Sequence, residues 1–262
     1  SPSIPFTLLC KFIIFFFIHM NIIKLDAIDS TNNYLRKIIL NKGVSDSTIV
    51  TAKFQKKGKG QLGTNWESED SKNLIFSIYK KDLGIKVRDQ FIISIIVSLA
   101  LIKTLKKNNL PNLCIKWPND IMSDNKKICG ILIENIVKKT HIKHTIIGIG
   151  LNVNQTIFDN LPNASSIKKI TGTIHNKEEI LKDLTNNINS CFDMLYSNSS
   201  EIIFKKYEEL LYRINKPSDF KNLKGDNFTG LIKGVSKLGK LNVMLKNNKI
   251  ESYDLKEISI LN

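Results

Sequence analysis

Residues 56–66 are Lys-Lys-Gly-Lys-Gly-Gln-Leu-Gly-Thr-Asn-Trp, a cationic stretch that contains the spacing G-x-G-x-x-G. That spacing binds a dinucleotide only between a strand and a helix, because the helix N-terminus holds the pyrophosphate. A strand does precede it, since 47–54 is rich in β-branched residues. No helix follows, because 64–73 is polar without an apolar stripe and 74–79 is strand-like again. The sequence therefore predicts a flexible loop between two strands, suited to wrapping an anion with N–H groups and Lys ammonium groups.

The apolar pattern around this loop predicts a mixed order of strands and helices. Short polar turns separate neighbouring strands, which favours antiparallel hairpins and an α+β fold with a largely antiparallel sheet packed against helices. The predicted strands are 21–25, 47–54, 74–81, 113–117, 129–137, 144–152, 229–233, 240–245, 250–253 and 257–261. The predicted helices are one that begins after the Asp-Ser-Thr-Asn turn at 29–32, then 89–107, 178–196 and 201–214.

The two ends of the chain differ from its middle. Residues 12–18 form an unbroken apolar run that is too short to cross a bilayer, which needs about 20 residues. We expect Met20 to be the natural start and 1–19 to be a leader or an over-extended reading frame. The pattern breaks at 216–219, and short strands with Gly and Asn turns follow. We therefore expect a main domain over 20–215 and a small barrel-like β domain over 216–262.

Composition excludes several classes of protein. The net charge of +15 suits a polyanion binder, but the Lys residues are scattered, so a compositional bias is favoured over a nucleic-acid groove. The four cysteines have no C-x-x-C spacing, which argues against a zinc site or a disulfide framework. The simplest location is a reduced intracellular compartment.

Three further segments carry polar groups next to buried strands. Lys116-Trp117-Pro118-Asn119-Asp120 ends a strand, and the Asn119-Asp120 tip is either a purely structural Asx-type turn or part of a functional site. In 126–134 a Lys precedes a strand that is interrupted by Gly130, and in 148–154 Gly148 and Gly150 precede an Asn. Glycine inside a strand marks a close approach of a ligand or another backbone.

Together these segments resemble biotin–protein ligases, also called biotin–[acetyl-CoA-carboxylase] ligases. The resemblance extends from about residue 21 to 262 and includes the β tail, which looks like the family's SH3-like C-terminal domain. No helix-turn-helix pattern precedes the main domain, so the chain resembles the monofunctional class. The matching motifs, in the family's order, are 29–32, Gln55 with 58–66, 116–120, 127–134 and 148–152.

The resemblance implies a class II aminoacyl-tRNA synthetase-like catalytic domain that makes biotinyl-5′-AMP from biotin and MgATP. It would then transfer biotin to one lysine of a biotin carboxyl carrier protein. The implied catalytic residues are Lys127, Lys59 and Asp120, with Asp120 also the candidate Mg²⁺ ligand. The implied biotin-binding residues are Ser30, Thr31, Asn32, Gln55, Gly58, Lys59, Gly60, Gln61, Lys127 and Gly130. The implied adenylate or ATP residues are Lys59, Trp66, Asn119 and Asn152, although a Trp after a loop can equally be a core anchor.

The loop departs from the family's usual G-R-G-R-x-G-R pattern. Lys59, Gln61 and Thr64 stand at the arginine positions. Arg can form two parallel hydrogen bonds with phosphate through its planar guanidinium group, whereas Lys offers a single point charge and Gln and Thr are neutral. We therefore expect weaker retention of the adenylate.

Two alternatives to the biotin ligase remain, namely a lipoate or octanoate ligase of related fold and a non-catalytic biotin-sensing or nucleic-acid-binding protein. We expect a cytoplasmic monomer or weak homodimer that binds neither DNA nor a membrane.

Overall fold

The computed structural model describes residues 21–159, 161–197 and 200–261. The predicted leader and start at 1–20 therefore lie outside the described residues. The strands are β1 Ile22–Ile28, β2 Ile49–Gln55, β3 Leu74–Lys81, β4 Cys114–Lys116, β5 Asp120–Ser123, β6 Lys126–Lys138, β7 His141–Leu151, β8 Pro217–Asn222, β9 Asn227–Val235, β10 Leu241–Met244, β11 Ile250–Tyr253 and β12 Ile258–Ile260. The helices are α1 Thr31–Lys42, α2 Phe91–Leu105, α3 Ile167–Thr171, α4 Lys177–Ser197 and α5 Ser200–Glu208.

Seven strands form the main sheet in the order β1-β2-β3-β7-β6-β5-β4. The first two strands are parallel and are joined through α1, as a parallel pair requires. Every other neighbouring pair in this sheet is antiparallel. The predicted α+β class with a mixed, largely antiparallel sheet is therefore confirmed.

Helix α2 is the central packing element of the main domain. Eleven of its fifteen residues are apolar, and eleven of the fifteen, including Ser98 and Thr104, are buried. It packs against α4 and α5 and against β5 and β6. The predicted deep burial is confirmed, but the helix is shorter than the predicted 89–107 because single 3₁₀ turns flank it at Val87–Asp89 and Lys106–Asn108. Helix α1 contacts β2, β3 and β7, and its Leu35 and Ile39 form a second, smaller buried cluster with Val50, Tyr79 and Ile146.

The C-terminal residues form a second sheet in the order β11-β10-β9-β8-β12, which confirms the predicted small β domain. Strand β8 was not predicted, because Pro217 suggested a break in the pattern. Pro217 is instead the first residue of that strand, where a missing N–H is tolerated. Ser218 and Phe220, two positions apart on the same face of the strand, are both buried. Helix α5 ends at Glu208, six residues before the predicted end, and the short helix α3 was also missed.

The small sheet is anchored to the main domain by specific hydrogen bonds. The indole Nε1 of Trp117 donates to the carbonyl oxygen of Gly239 at 2.9 Å. The backbone N–H of Val235 donates to Glu208 Oε1 at 2.8 Å. The turn at 254–257 lies beside the cavity described below, since Leu255 is one of its lining residues.

Within the described ranges, no helix has the length and apolar character needed to span a membrane.

Candidate active site

A cavity of about 280 Å³ lies on the face of the main sheet opposite α2, near the lower limit of roughly 300 Å³ for small-molecule pockets. Its floor comes from the central strands, and the loop between β2 and β3 covers one side. The lining residues are Ser30, Thr31, Asn32, Gln55, Lys59, Gly60, Gln61, Thr64, Asn65, Trp66, Ile75, Phe76, Pro118, Asn119, Asp120, Lys127, Gly130, Ile131, Leu132, Gly148, Ile149, Gly150 and Leu255.

Three glycines form the floor of this cavity. Gly130 of β6 pairs with Gly150 of β7, and Gly148 lies two residues earlier on the same face. The indole of Trp66 lies directly on this surface, so that a Cβ at Gly150 would fall 2.3 Å from Trp66 Cε2. A Cβ at Gly148 would fall 2.4 Å from Asn32 Oδ1. The strand glycines therefore permit a close approach, but the groups that approach in this structure are the side chains of Trp66 and Asn32 and not another backbone.

One end of the cavity is polar and buried. Ser30 caps α1 by accepting from the N–H of Asn33, which places Thr31 and Asn32 in the first turn above the sheet. The hydroxyl of Ser77 lies 2.8 Å from Thr31 Oγ1 and 2.6 Å from Asn32 Oδ1. Gln55 Oε1 accepts from the backbone N–H of Thr31 at 2.8 Å. This end can therefore hydrogen-bond a ligand that carries both N–H and C=O groups.

The other end of the cavity is charged. Lys127 Nζ lies 2.8 Å from Asp120 Oδ1 and 5.7 Å from the ring centre of Trp66. Burial raises the pKa of Asp120, against the opposing effects of Lys127 and Lys116. Burial likewise lowers the pKa of Lys116, while Asp120 opposes that shift. The single carboxylate thus holds Lys127 at the cavity and leaves a cationic surface for an anionic ligand.

Before Trp66, the loop over the cavity has few apolar side chains that could pack against the rest of the protein. It folds back through a bridge between Lys59 and Asn65, and the N–H of Gly60 donates to the carbonyl of Thr64 at 2.7 Å. Leu62 at its tip has φ of 56° and is 56% exposed, a left-handed conformation that is uncommon for Leu. Lys59 Nζ reaches Asn33 Oδ1 at 3.2 Å. The loop therefore extends from the cationic surface to α1.

Most of the predicted site residues meet at this cavity. Asn119 lines it, and its Nδ2 donates to the carbonyl of Ile131 at 2.8 Å. Gly58 lies behind the lining, where an added Cβ would meet Trp66 O at 2.3 Å and Gln55 Nε2 at 2.9 Å. Asn152 is 4% exposed, is not a lining residue, and donates from Nδ2 to the carbonyl of Ser165. The structure therefore separates Asn152 from the other adenylate candidates.

Sequence reasoning missed two residues of the site. Ser77 is a polar residue in the otherwise apolar first part of strand β3. Because a buried hydroxyl needs a hydrogen-bond partner, this position could have indicated a polar partner on the same face of the sheet. Leu255 comes from the turn after β11, and no local pattern connects it with the cavity.

The sequence and the fold are both similar to those of known protein ligases. Residues 25–152 match the biotin/lipoate A/B protein ligase family. This match covers just under half of the chain, and it confirms the resemblance that the motifs indicated.

Among individual proteins, the chain is similar to biotin–protein ligases. A biotin protein ligase from Aquifex aeolicus, solved in complex with biotin and ATP, superposes with a TM-score of 0.77 at 25% identity, covering 92% of this chain and 99% of that one. The biotin–[acetyl-CoA-carboxylase] ligase of Paracoccus denitrificans is 32% identical over 127 residues, 48% of this chain and 51% of that protein. The bifunctional ligase/repressor BirA of Bacillus spizizenii is 28% identical over 177 residues, 65% of this chain and 52% of that protein. The chain thus spans about half the length of these two relatives.

Proposed function

We propose that this protein is an ATP-dependent biotin–protein ligase that forms biotinyl-5′-AMP and transfers biotin to a lysine of a biotin carboxyl carrier protein. The observation that carries the proposal is a single cavity with a buried hydrogen-bonding end and a cationic end built on Lys127. The likeness to the Aquifex aeolicus enzyme in complex with biotin and ATP supports the same conclusion.

The polar end favours biotin over lipoate or octanoate. Ser30, Thr31, Asn32 and Ser77 are each 3% exposed or less. A biotin ureido ring supplies both N–H donors and a carbonyl acceptor to such a cluster. A dithiolane ring or an alkyl chain would form none of these hydrogen bonds with the cluster, and a site built to hydrogen-bond its substrate disfavours analogues that lack the bonding groups.

Adenylation brings two anions together. The biotin carboxylate oxygen attacks the α-phosphorus of ATP, the new O–P bond forms, and the bond to pyrophosphate breaks. Lys127 lies where it can neutralise charge on the carboxylate and the phosphate, and Asp120 holds its Nζ in place. Lys59 and the loop N–H groups supply further donors at the open side. In the second step the neutral amine of the carrier lysine attacks the acyl carbon of the mixed anhydride, and AMP leaves.

Magnesium fits this site only as a partner of ATP. Within the described ranges, no cluster of three or more acidic, His or Cys side chains could form a protein-made metal cage. The one carboxylate of the cavity, Asp120, is already paired with Lys127. Mg²⁺ bound mainly by phosphates needs only one or two such ligands, and Asp120 with the Asn119 amide oxygen would provide them. The ion would supply charge neutralisation on the phosphates.

The same proposal extends to the residue roles and the organisation of the chain. Residues 20–215 would form the catalytic domain and 216–262 the SH3-like domain. Thr31, Asn32 and Gln55 would bind the ureido ring, and Trp66 would lie against the adenylate, with Gly130 and Gly150 beneath it. The enzyme would be a cytoplasmic monomer or weak homodimer that does not bind DNA.

A transfer assay tests the proposal. The purified chain is incubated with ATP, labelled biotin or labelled lipoate, and a carrier domain of each kind. Biotin transfer that depends on ATP and is abolished in Lys127→Ala supports the proposal. Transfer of lipoate but not biotin would establish the alternative substrate, and binding of biotin without adenylate formation would establish a sensing protein instead.

A further inference from the structure

We propose that Glu134 is a positioning residue that fixes the direction of a buried hydrogen-bond relay, and thereby makes Thr31 an acceptor for a ligand N–H group. Glu134 is not a lining residue of the cavity. The inference rests on the proposed function, since the ligand group concerned is the ureido ring of biotin.

The relay begins at the carboxylate of Glu134. Its Oε2 lies 2.9 Å from Asn32 Nδ2, and its Oε1 lies 3.8 Å from Arg36 Nη2. An ionised carboxylate can only accept hydrogen bonds. The Asn32 amide must therefore direct its NH₂ group towards Glu134, with the carbonyl of Leu132 as a second acceptor at 3.4 Å. This contact leaves Asn32 Oδ1 facing Ser77.

The next two steps follow from counting protons. Asn32 Oδ1 has no hydrogen, so the 2.6 Å contact with Ser77 uses the single hydroxyl proton of Ser77. Ser77 then has no proton left for its 2.8 Å contact with Thr31 Oγ1, so this contact is a hydrogen bond only if Thr31 donates. Thr31 Oγ1 also lies 3.1 Å from Gln55 Oε1, but that contact is longer than the one with Ser77, and Gln55 Oε1 already accepts from the Thr31 backbone N–H at 2.8 Å.

At the cavity the relay presents a hydrogen-bond acceptor. The remaining lone pairs of Thr31 Oγ1 can accept a ligand N–H, since its proton is committed to Ser77. The amide of Gln55 is oriented by the bond to its Oε1, and its Nε2 lies beside Gly58. A ligand that carries an N–H group can bond to Thr31 Oγ1, whereas a ligand that offers only acceptors cannot.

A double-mutant cycle in the full chain tests this inference, with biotin affinity measured by calorimetry and adenylate formation measured separately. Glu134→Ala frees the Asn32 amide to turn and should weaken biotin binding by roughly tenfold, the usual effect of one lost hydrogen bond at a buried group. Glu134→Gln retains an acceptor oxygen and should stay within about threefold of the wild type. The KM for ATP should be unchanged in both. In a Thr31→Val background, where the end of the relay is missing, Glu134→Ala should have less than about a twofold further effect.

A second variant keeps the test valid if Glu134→Ala fails to fold. Ser77→Ala breaks the relay in its middle with the loss of one oxygen atom, and it should match Glu134→Ala in both backgrounds. Glu178→Gln, which removes an exposed carboxylate paired with Lys24, is the control and should leave biotin affinity unchanged. The relay would be overturned if Glu134→Ala weakened biotin binding equally in the wild-type and Thr31→Val backgrounds. It would also be overturned if Glu134→Ala reduced the affinities for biotin and for ATP by the same factor. A wild-type chain that does not bind biotin would instead overturn the proposed function.

Discussion

The two ends of the cavity hold their ligand groups in opposite ways. At the buried end, Thr31, Asn32 and Ser77 are locked into one hydrogen-bonded arrangement and are almost inaccessible to water. At the loop end, Lys59, Thr64 and Leu62 are exposed and are held by few contacts. The buried end is therefore preorganised for recognition, while the loop end is free to rearrange around a charged ligand. Substitutions at the two ends should differ in kind as well as in size.

The largest effect should come from the residue between the two ends. Lys127→Ala removes the cation that Asp120 holds at the cavity, and adenylate formation should fall by about 10²- to 10³-fold, as when one preorganised donor is lost from an active site. Pyrophosphate release under saturating biotin and ATP measures the loss. Lys126→Ala is the matched control, because Lys126 is exposed and its Nζ contacts the carbonyl of Pro162. If both variants retain full activity, Lys127 is not the residue that neutralises the developing charge.

One methyl group added at each end tests the contrast directly. A Cβ at Gly148 would lie 2.4 Å from Asn32 Oδ1, and a Cβ at Gly60 would lie 2.4 Å from Thr64 Oγ1. Asn32 is tied to Ser77 and Glu134, whereas the Thr64 side chain is exposed and can rotate away. Gly148→Ala should raise the Kd for biotin by about tenfold or more, and Gly60→Ala by less than about threefold. Similar losses in the two variants would show that the buried end is no more rigid than the loop.

The same contrast explains what the sequence could predict. The loop could be predicted from neighbouring residues alone, because 56–63 holds the glycines and lysines and 64–73 has no apolar stripe of helical period. The α+β class and the long helix were likewise found from periodicity. The relay could not be found in this way. Thr31, Ser77 and Glu134 are each more than 40 positions apart in the chain, and only the pairing of Ser77 with Gly148, and of Gly148 with Leu132, brings them together. Leu255 lies beside the small sheet, more than 100 positions from the other lining residues, and only the packing of that sheet on the main domain brings it to the cavity.

A smaller effect is expected from restoring an arginine to the loop. Gln61 lines the cavity in the position where the family usually has Arg, and Gln61→Arg offers phosphate a two-pronged charged donor. Release of the adenylate should slow by roughly three- to tenfold, because a charged hydrogen bond replaces a neutral one. Filter binding of labelled biotinyl-5′-AMP follows the release. Gln61→Lys adds the charge without the fork and should give the smaller change. An adenylate that already dissociates very slowly from the wild type would contradict the expected loose retention.

The smallest effect concerns the order of the loop itself. Lys56, Lys57 and Lys59 are exposed and offer trypsin three sites within a segment that has few anchors. If biotin and ATP draw the loop onto the cavity, cleavage there should slow by about fivefold, because proteolysis follows the population of the open form. Lys237, exposed in the turn between β9 and β10, provides the internal control and should be cut at an unchanged rate. Equal protection at both places would indicate a general stabilisation by ligand, and equal cleavage with and without ligand would show that ligand does not change the order of the loop.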